Sequence, residues 1–533
     1  MVESNQLNYD YDAIGIRIIN EREDSNASTI SSGLDNGIAP VPTFGLNPRP
    51  LNNRTRDQLN TITVRSRITN EIIKGFYFDY TNDENKRLYL KMVKENGKNP
   101  YEFEYYNEGQ LPDYLEEKWL IDHWGYYNNK QSPITDLNFD YRNNDIKYHN
   151  SREPDQTYSK YGSLKKVTYP TRGYTIYDYE NNRYTKMVNR SVTSGTSFPL
   201  LSHNEKIAGG LRIKTIKNYS NSNELSNLKE FSYEEGILPF LPIYLIPDNS
   251  YASFSGTRKT GSIFSSSTIV PLQDYGNIPV QYSKVTELIK DTQNNSNGKV
   301  EYQYTNYDSY SDVPFSSTFS PNLSNVFPST INDKARGNLL SKKVFNKSNS
   351  IVEEEINVYS KNARVFSKVY AIKNNYYWSQ SQGRFSQGAF YTITLNPYNL
   401  TKKETKKYSN GTVLTESKNY EYDHMNHLKR KLTTNSNSET EIKKFSYVND
   451  LKVNHLHNDF IRNLGVSRMI QSSDWKNNKY TSGHLETFKK DQHNNIVLDK
   501  FFQYEKTSSK TNNGSLLYPT LNSQNVSIHD IKF

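Results

Sequence analysis

One short pattern recurs along this chain: an aromatic residue, a polar residue, then tyrosine. It stands at Phe78-Asp79-Tyr80, Phe103-Glu104-Tyr105, Phe139-Asp140-Tyr141, Tyr177-Asp178-Tyr179 and Phe231-Ser232-Tyr233. It returns at Tyr302-Gln303-Tyr304, Tyr420-Glu421-Tyr422, Phe445-Ser446-Tyr447 and Phe502-Gln503-Tyr504. Residues i and i+2 of a strand share a face. Each copy therefore puts two rings on one side of a strand and a polar group on the other, the signature of a half-buried strand.

Composition decides whether such strands can fold. Hydrophobic residues make up only 34% of the 533 residues, and mean hydropathy is -0.87. Those values alone lean towards disorder. The 43 tyrosines and 23 phenylalanines argue the other way. Tyrosine buries a ring while its hydroxyl stays polar, so a chain that uses it in place of leucine reads as hydrophilic and still folds.

Turn-forming clusters follow several copies. Asn107-Glu108-Gly109-Gln110-Leu111, Glu234-Glu235-Gly236-Ile237-Leu238 and Asp423-His424-Met425-Asn426-His427-Leu428 each precede a basic, alternating segment. Strand, turn and strand make a hairpin, and a lone hairpin is marginal, so hairpins must stack. The expected fold is all-β, with stacked antiparallel hairpins of degenerate repeats forming a coiled sheet, spiral or shell wall, and with long irregular loops. Helix should account for less than about a tenth of the chain. The segment from Asp113 to Trp119 has room for a turn or two.

The repeat spacing is uneven, so insertions divide the chain. Residues 1–60 read as a strand plus a Pro/Asn/Ser-rich strap, and 61–189 as hairpin repeats. Residues 190–340 read as repeats with long Ser/Pro-rich insertions, 341–510 as hairpin repeats again, and 511–533 as a Ser/Asn-rich tail.

Longer motifs carry a family resemblance. Gly162-Ser-Leu-Lys-Lys-Val-Thr-Tyr-Pro-Thr-Arg-Gly-Tyr-Thr-Ile-Tyr-Asp-Tyr-Glu180 resembles a segment of the YD-repeat, or RHS-like, proteins of the Bacteroidetes. Asp122-His-Trp-Gly-Tyr-Tyr-Asn128, Arg152-Glu-Pro154, Ala208-Gly-Gly-Leu-Arg-Ile213 and Tyr420-Glu-Tyr-Asp423 resemble other motifs of that family, in the same order. The resemblance covers roughly residues 60–510. Arg172 stands where the family usually has glycine, which raises the question of a left-handed backbone there. The resemblance implies a cell-surface or secreted repeat polypeptide, part of something longer, here without the family's RHS core and C-terminal effector. The start, Met1-Val-Glu-Ser-Asn5, has neither the basic region nor the apolar run of a signal peptide. An expressed fragment is therefore the expectation. No apolar run reaches the ~18 residues of a membrane span.

Chemistry-bearing motifs are scarce. With no cysteine, thiolate metal sites and cysteine nucleophiles are excluded. No nucleophile elbow, zincin helix or phosphate-binding loop occurs. The reading is therefore non-enzymatic, with no catalytic residue, no cofactor and no metal. Asp79, Asp140, Asp178 and Asp423 are too far apart for a calcium loop and suit turns and strand edges. His424, His427, His455 and His457 read as surface histidines near turns. Asp122 and His123 are adjacent, and strand neighbours point to opposite faces, which disfavours an acid–base pair. A turn with a packing tryptophan is the reading of that block.

The net charge of +9 is scattered, which suits solvated strand faces and not a nucleic-acid stripe. Tyr376, Tyr377, Trp378, Arg384 and Phe385 form the candidate ligand or partner surface. Tyr105, Tyr179, Phe231, Tyr233, Tyr304, Tyr422 and Tyr447 are the expected repeat core. The leading function is a structural or encapsulating scaffold whose partners are the rest of a longer polypeptide or an outer-membrane or secretion partner. An adhesin or glycan-binding module is the alternative, and a glycoside hydrolase the weaker one.

Overall fold

The computed structural model of the chain describes residues 58–81, 86–113, 119–133, 141–189, 200–252, 258–264, 266, 268, 279–312, 332–361, 368–379, 383–394, 398–450, 467–493, 495–505, 520–521 and 526–527. The chain divides into two compact units. One comprises Met1–Ser163, Pro242–Ile269 and Lys373–Ala389; the other comprises Leu164–Leu241, Val270–Ile372 and Phe390–Phe533.

In the first unit, β1 (Thr61–Arg65), β2 (Ile72–Tyr80), β3 (Leu90–Glu95) and β4 (Tyr101–Tyr105) pair antiparallel in sequence order. A helix, α1 (Tyr141–Ser151), follows. The second unit opens with β5 (Leu164–Thr168), β6 (Tyr174–Asn189), β7 (Leu200–Tyr219) and β8 (Leu225–Leu238), again a meander. A short parallel contact joins β6 and β8 at Lys186 and Met187. The chain then makes a separate hairpin in the first unit, β9 (Leu245–Ala252) and β10 (Arg258–Phe264).

The second unit resumes at β11 (Gln281–Lys290), which pairs directly with β8. β12 (Ser296–Tyr304), β13 (Leu339–Phe345) and β14 (Ile351–Lys361) extend the ladder. Another hairpin, β15 (Lys368–Ser379) and β16 (Gly383–Thr394), forms its own two-stranded sheet. β17 (Tyr398–Ser409) then pairs with β14. β18 (Thr412–Tyr422), β19 (Leu428–Thr434), β20 (Thr440–Tyr447), β21 (Met469–Lys476), β22 (Lys479–Lys490) and β23 (Ile496–Glu505) follow in order. The fold is all-β, and α1 is the sole α-helix among the described residues.

Five aromatic-x-Tyr copies have a shared geometry. A register shift falls just before the second tyrosine, between Asp79 and Tyr80, Asp178 and Tyr179, Gln303 and Tyr304, Glu421 and Tyr422, and Ser446 and Tyr447. Such a bulge leaves a backbone N–H out of the ladder. Asp79 Oδ1 accepts the Tyr80 N–H at 3.0 Å, Asp178 Oδ1 that of Tyr179 at 2.9 Å, and Asp450 Oδ2 that of Tyr447 at 2.7 Å.

With or without a bulge, several of these phenols reach back to a backbone carbonyl. Hydroxyls donate from Tyr80 to the Leu59 carbonyl, Tyr105 to Leu90, Tyr179 to Leu164, Tyr233 to Ile213, Tyr422 to Leu400 and Tyr447 to Leu428, at 2.7–3.1 Å. Several of these acceptors pair by Cα with the preceding repeat's tyrosine. Leu90 pairs with Tyr80, Ile213 with Tyr179 and Leu428 with Tyr422. One aliphatic residue thus meets the tyrosine of one repeat through the ladder and of the next through a hydroxyl.

Tyr105, Tyr179, Phe231, Tyr233, Tyr304, Tyr422 and Tyr447 are half-buried and not enclosed. Their packing is along one face of an open ladder, and a phenol that must reach a backbone carbonyl of the neighbouring segment lies along the sheet. The intervening Glu104, Ser232, Gln303 and Glu421 are exposed, whereas Asp178 and Ser446 are half-buried. The enclosed side chains lie elsewhere. Val188, Ile237 and Tyr307 form one buried cluster. Beside it, Arg336 and Asp312 make a fully buried ion pair at 2.7 Å, with the guanidinium 4.8 Å from the Tyr307 ring centroid.

Several hairpin turns share another device. The side chain at the first position accepts the N–H groups two and four residues on. Asp291 does so for Gln293 and Asn295, Asn346 for Ser348 and Ser350, Asp423 for Met425 and His427, and Asn435 for Asn437 and Glu439. The fourth residue is left-handed, at Asn294, Asn349, Asn426 and Ser438. This is Asx-turn chemistry, and it explains why these loops are written in Asn and Asp. In the Tyr169–Gly173 turn, Arg172 adopts φ 71. The resemblance placed glycine there, and the backbone is of the kind that favours it.

Two sequence expectations are corrected. Glu234–Leu238 is not a turn but the end of β8, with Glu235 left-handed at φ 56 inside the strand; the Asn306 amide donates to the Gln281 carbonyl at 3.1 Å and to the Ser283 hydroxyl at 3.0 Å beside it. Tyr141, read as the end of a strand copy, is the first residue of α1. The strap in 1–60 up to residue 57, the possible helix at 114–118 and His455 and His457 lie outside the described residues.

Candidate functional site

A cluster of buried polar side chains in the first unit is built on the Asp122–Asn128 block. Ile121 and Tyr127 form an isolated antiparallel bridge. Between them Asp122 closes the same kind of turn: its Oδ1 accepts the N–H of Trp124 at 2.8 Å and of Tyr126 at 2.9 Å. Gly125 takes φ 91 at the turn's left-handed position. Asp122 is fully buried. Burial pushes its carboxyl up to about 6, against the pull of the Tyr126 and Trp124 N–H groups and of Arg152.

This turn is fastened to the end of α1. The His123 N–H donates to the Arg152 carbonyl at 2.8 Å. The Asn128 amide donates to the carbonyls of Ser151 at 2.9 Å and Glu153 at 3.1 Å. Arg152 donates through Nη2 to the Asp122 carbonyl and through Nη1 to the Tyr148 hydroxyl. Tyr148 and Tyr244 form the local buried core with Trp119 packed against it, and the Tyr148 hydroxyl donates to the Ser266 carbonyl.

Three potential metal-ligating side chains meet on this platform. His123, His149 and Glu153 each bring one ligand atom to within 4.8 Å of the others. His123 is 5% exposed. Its Nδ1 is hydrogen-bonded to the Tyr244 hydroxyl at 2.9 Å, across 121 positions of sequence. The His123 and His149 rings lie 4.4 Å apart, and His149 Nδ1 is 3.7 Å from Glu153 Oε1. Burial raises the Tyr244 phenol far above its ordinary range, with Arg152 opposing, so the hydroxyl stays protonated.

Asp122 and His123 do not act on one another: the carboxylate closes the turn and the imidazole faces Tyr244. The tryptophan of the block packs edge-on against the His123 ring, with centroids 5.5 Å apart. Of the other aspartates weighed as ligands, Asp79 and Asp178 cap bulges and Asp423 closes a turn, while Asp140 lies outside the described residues. His427, read as a surface histidine, is instead buried: it is fixed between Asp423 and the Ser467 hydroxyl, and stacks on Tyr447 at 4.5 Å; His424 is exposed. Tyr376, Tyr377, Trp378, Arg384 and Phe385 lie on β15 and β16, and their side chains are outside the described set. The only local sequence signal for the metal-type cluster was the His149-x-x-x-Glu153 spacing. His123 could be added only by the fold.

Basic strands find acidic neighbours in the second unit. Lys342 and Lys343 face Glu353 and Glu354 across β13 and β14, and Lys403 meets Glu355 at 2.8 Å. A shallow groove lined by Tyr169, Tyr174, Thr175, Asn218 and Tyr219 sits at the β5–β6 turn, with the Tyr174 and Tyr219 rings stacked 4.7 Å apart.

No protein-family model matches the chain, and no curated protein does. Among solved structures, the crystal structure of TcdB2-TccC3-TEV aligns with 84% of this chain at 9% identity and a TM-score of 0.11. The chain spans about a quarter of that protein, 24% of its length. No helix among the described residues is long and apolar enough to cross a membrane.

Proposed function

We propose that this chain is a non-enzymatic β-repeat scaffold, part of an RHS-like cell-surface or secreted polypeptide, whose sheet encloses cargo or builds a stalk. The observation that carries the reading is the sequence-ordered meander with a tyrosine hydroxyl at successive repeats. Such a ladder extends by adding hairpins and needs no catalytic centre. The motifs at 122–128, 162–180 and 208–213 support it, because each does structural work: a locked turn, a hairpin corner, and an Arg212 that meets Glu180 at 2.7 Å and sits over the Tyr233 ring. Antibody against the chain, applied to intact and to lysed cells of the source, tests the location. Labelling of intact cells, or recovery from the medium, is expected; signal only after lysis refutes it.

The adhesin reading is the second, favoured by the tyrosine-lined groove at Tyr169, Tyr174 and Tyr219. A glycan array separates the two. Saturable binding that is lost in Tyr174→Ala supports the adhesin, and an empty array supports the scaffold.

A further inference from the structure

We propose that His123, His149 and Glu153 form a binding site for a zinc-class divalent ion, which ties the Asp122–Asn128 turn to the end of α1. Two imidazoles and a carboxylate are a donor set that suits zinc, whose fourth ligand in such a set is a water. Ligand atoms on a tetrahedral ion at about 2.0–2.1 Å stand about 3.4 Å apart. The three atoms already lie within 4.8 Å of one another, so the set closes on an ion by a shift of about an ångström, which the half-exposed His149 and Glu153 side chains can supply.

The surroundings hold the ligands as a metal site requires. A coordinating histidine commonly donates its second ring nitrogen to a fixed acceptor. With the ion on Nε2, His123 Nδ1–H donates to the Tyr244 hydroxyl, 2.9 Å away. Glu153 is placed by the Asn128 amide on its carbonyl, and the His123 backbone by the Arg152 carbonyl. His149 lies in the last turn of α1, where the helix dipole favours a cation. The Lys130 ammonium binds the Glu153 carbonyl and Arg152 is engaged by Tyr148 and the Asp122 carbonyl. His149 and Glu153 remain 40% and 33% exposed, which gives an ion a path in.

The test uses the tag-free full chain, stripped with chelator and dialysed. Zinc is titrated by calorimetry, and cobalt(II) by its visible absorption. Wild type should take up one ion per chain, give the intense bands of tetrahedral cobalt, and melt at a higher temperature with zinc present. His149→Asn and Glu153→Gln change half-exposed side chains; each should weaken binding by about tenfold or more and abolish the thermal shift, with an unchanged circular dichroism spectrum. His123→Gln should do the same. Absence of stoichiometric uptake by wild type overturns the proposal. So does uptake of equal affinity in His149→Asn and Glu153→Gln, which would assign the ion to other histidines.

Discussion

At the scale of single residues, the second tyrosine of six repeats, at Tyr80, Tyr105, Tyr179, Tyr233, Tyr422 and Tyr447, acts through one oxygen atom. Its ring is only half-buried, so removing the hydroxyl alone isolates the bond to the neighbouring strand's carbonyl. Tyr233→Phe and Tyr447→Phe should each lose about 1 kcal/mol in denaturant melts; stability equal to wild type in both would show the bond to be incidental. Arg172 offers the opposite experiment. A non-glycine residue with φ 71 carries left-handed strain of about 1–2 kcal/mol, partly offset by the flexibility of glycine in the unfolded chain. Arg172→Gly should therefore stabilise by roughly 0.5–1 kcal/mol. The strand at Tyr422 was legible because its rings alternate with polar residues. What the alternation did not hold was the bulge, since a register shift depends on the partner strand.

At the scale of elements, the long insertion between β12 and β13 is bracketed by the buried Asp312–Arg336 pair. Asn332 also donates its N–H to Asp312 Oδ1 at 3.1 Å, so one carboxylate gathers both ends of the segment. Arg336→Met leaves that carboxylate buried without its cation, and a loss of roughly 3–5 kcal/mol is expected. Adding Asp312→Leu removes the stranded charge and should restore part of it, the Asn332 N–H having lost its acceptor, a result read by a double-mutant cycle. Helix α1 shows why other elements escaped the sequence. Tyr-Arg-Asn-Asn-Asp-Ile-Lys-Tyr-His has no apolar stripe and is rich in asparagine. Its anchor, Tyr148, is buried against Tyr244, a partner far along the chain. The His123–His149–Glu153 cluster was hidden for the same reason, because the turn and the helix meet only after folding.

At the scale of the whole molecule, the tyrosines give a collective signature. Burial raises Tyr233 and Tyr302 to about 12, with the Glu287 carboxylate adding to the effect at Tyr302. Tyr179, Tyr304, Tyr422 and Tyr447 are raised as well, burial first. A group whose folded pKa exceeds its unfolded value binds its proton more tightly when folded. The stability it brings is complete below about pH 10 and is lost as pH rises through the folded value. Phenolate absorbance of the native chain should therefore lag that of the denatured chain above pH 10, and unfolding should set in between about pH 10 and 12. Coincident titration curves would contradict the half-buried phenols.

The aliphatic residue shared at three repeat junctions has an evolutionary reading. Leu90, Ile213 and Leu428 each receive one tyrosine through the ladder and the next through its hydroxyl, so these three junctions present the same socket to the hairpin that follows. A gene built of such units can lose, gain or shuffle a hairpin by recombination, and the joint that results is chemically the joint that was there before.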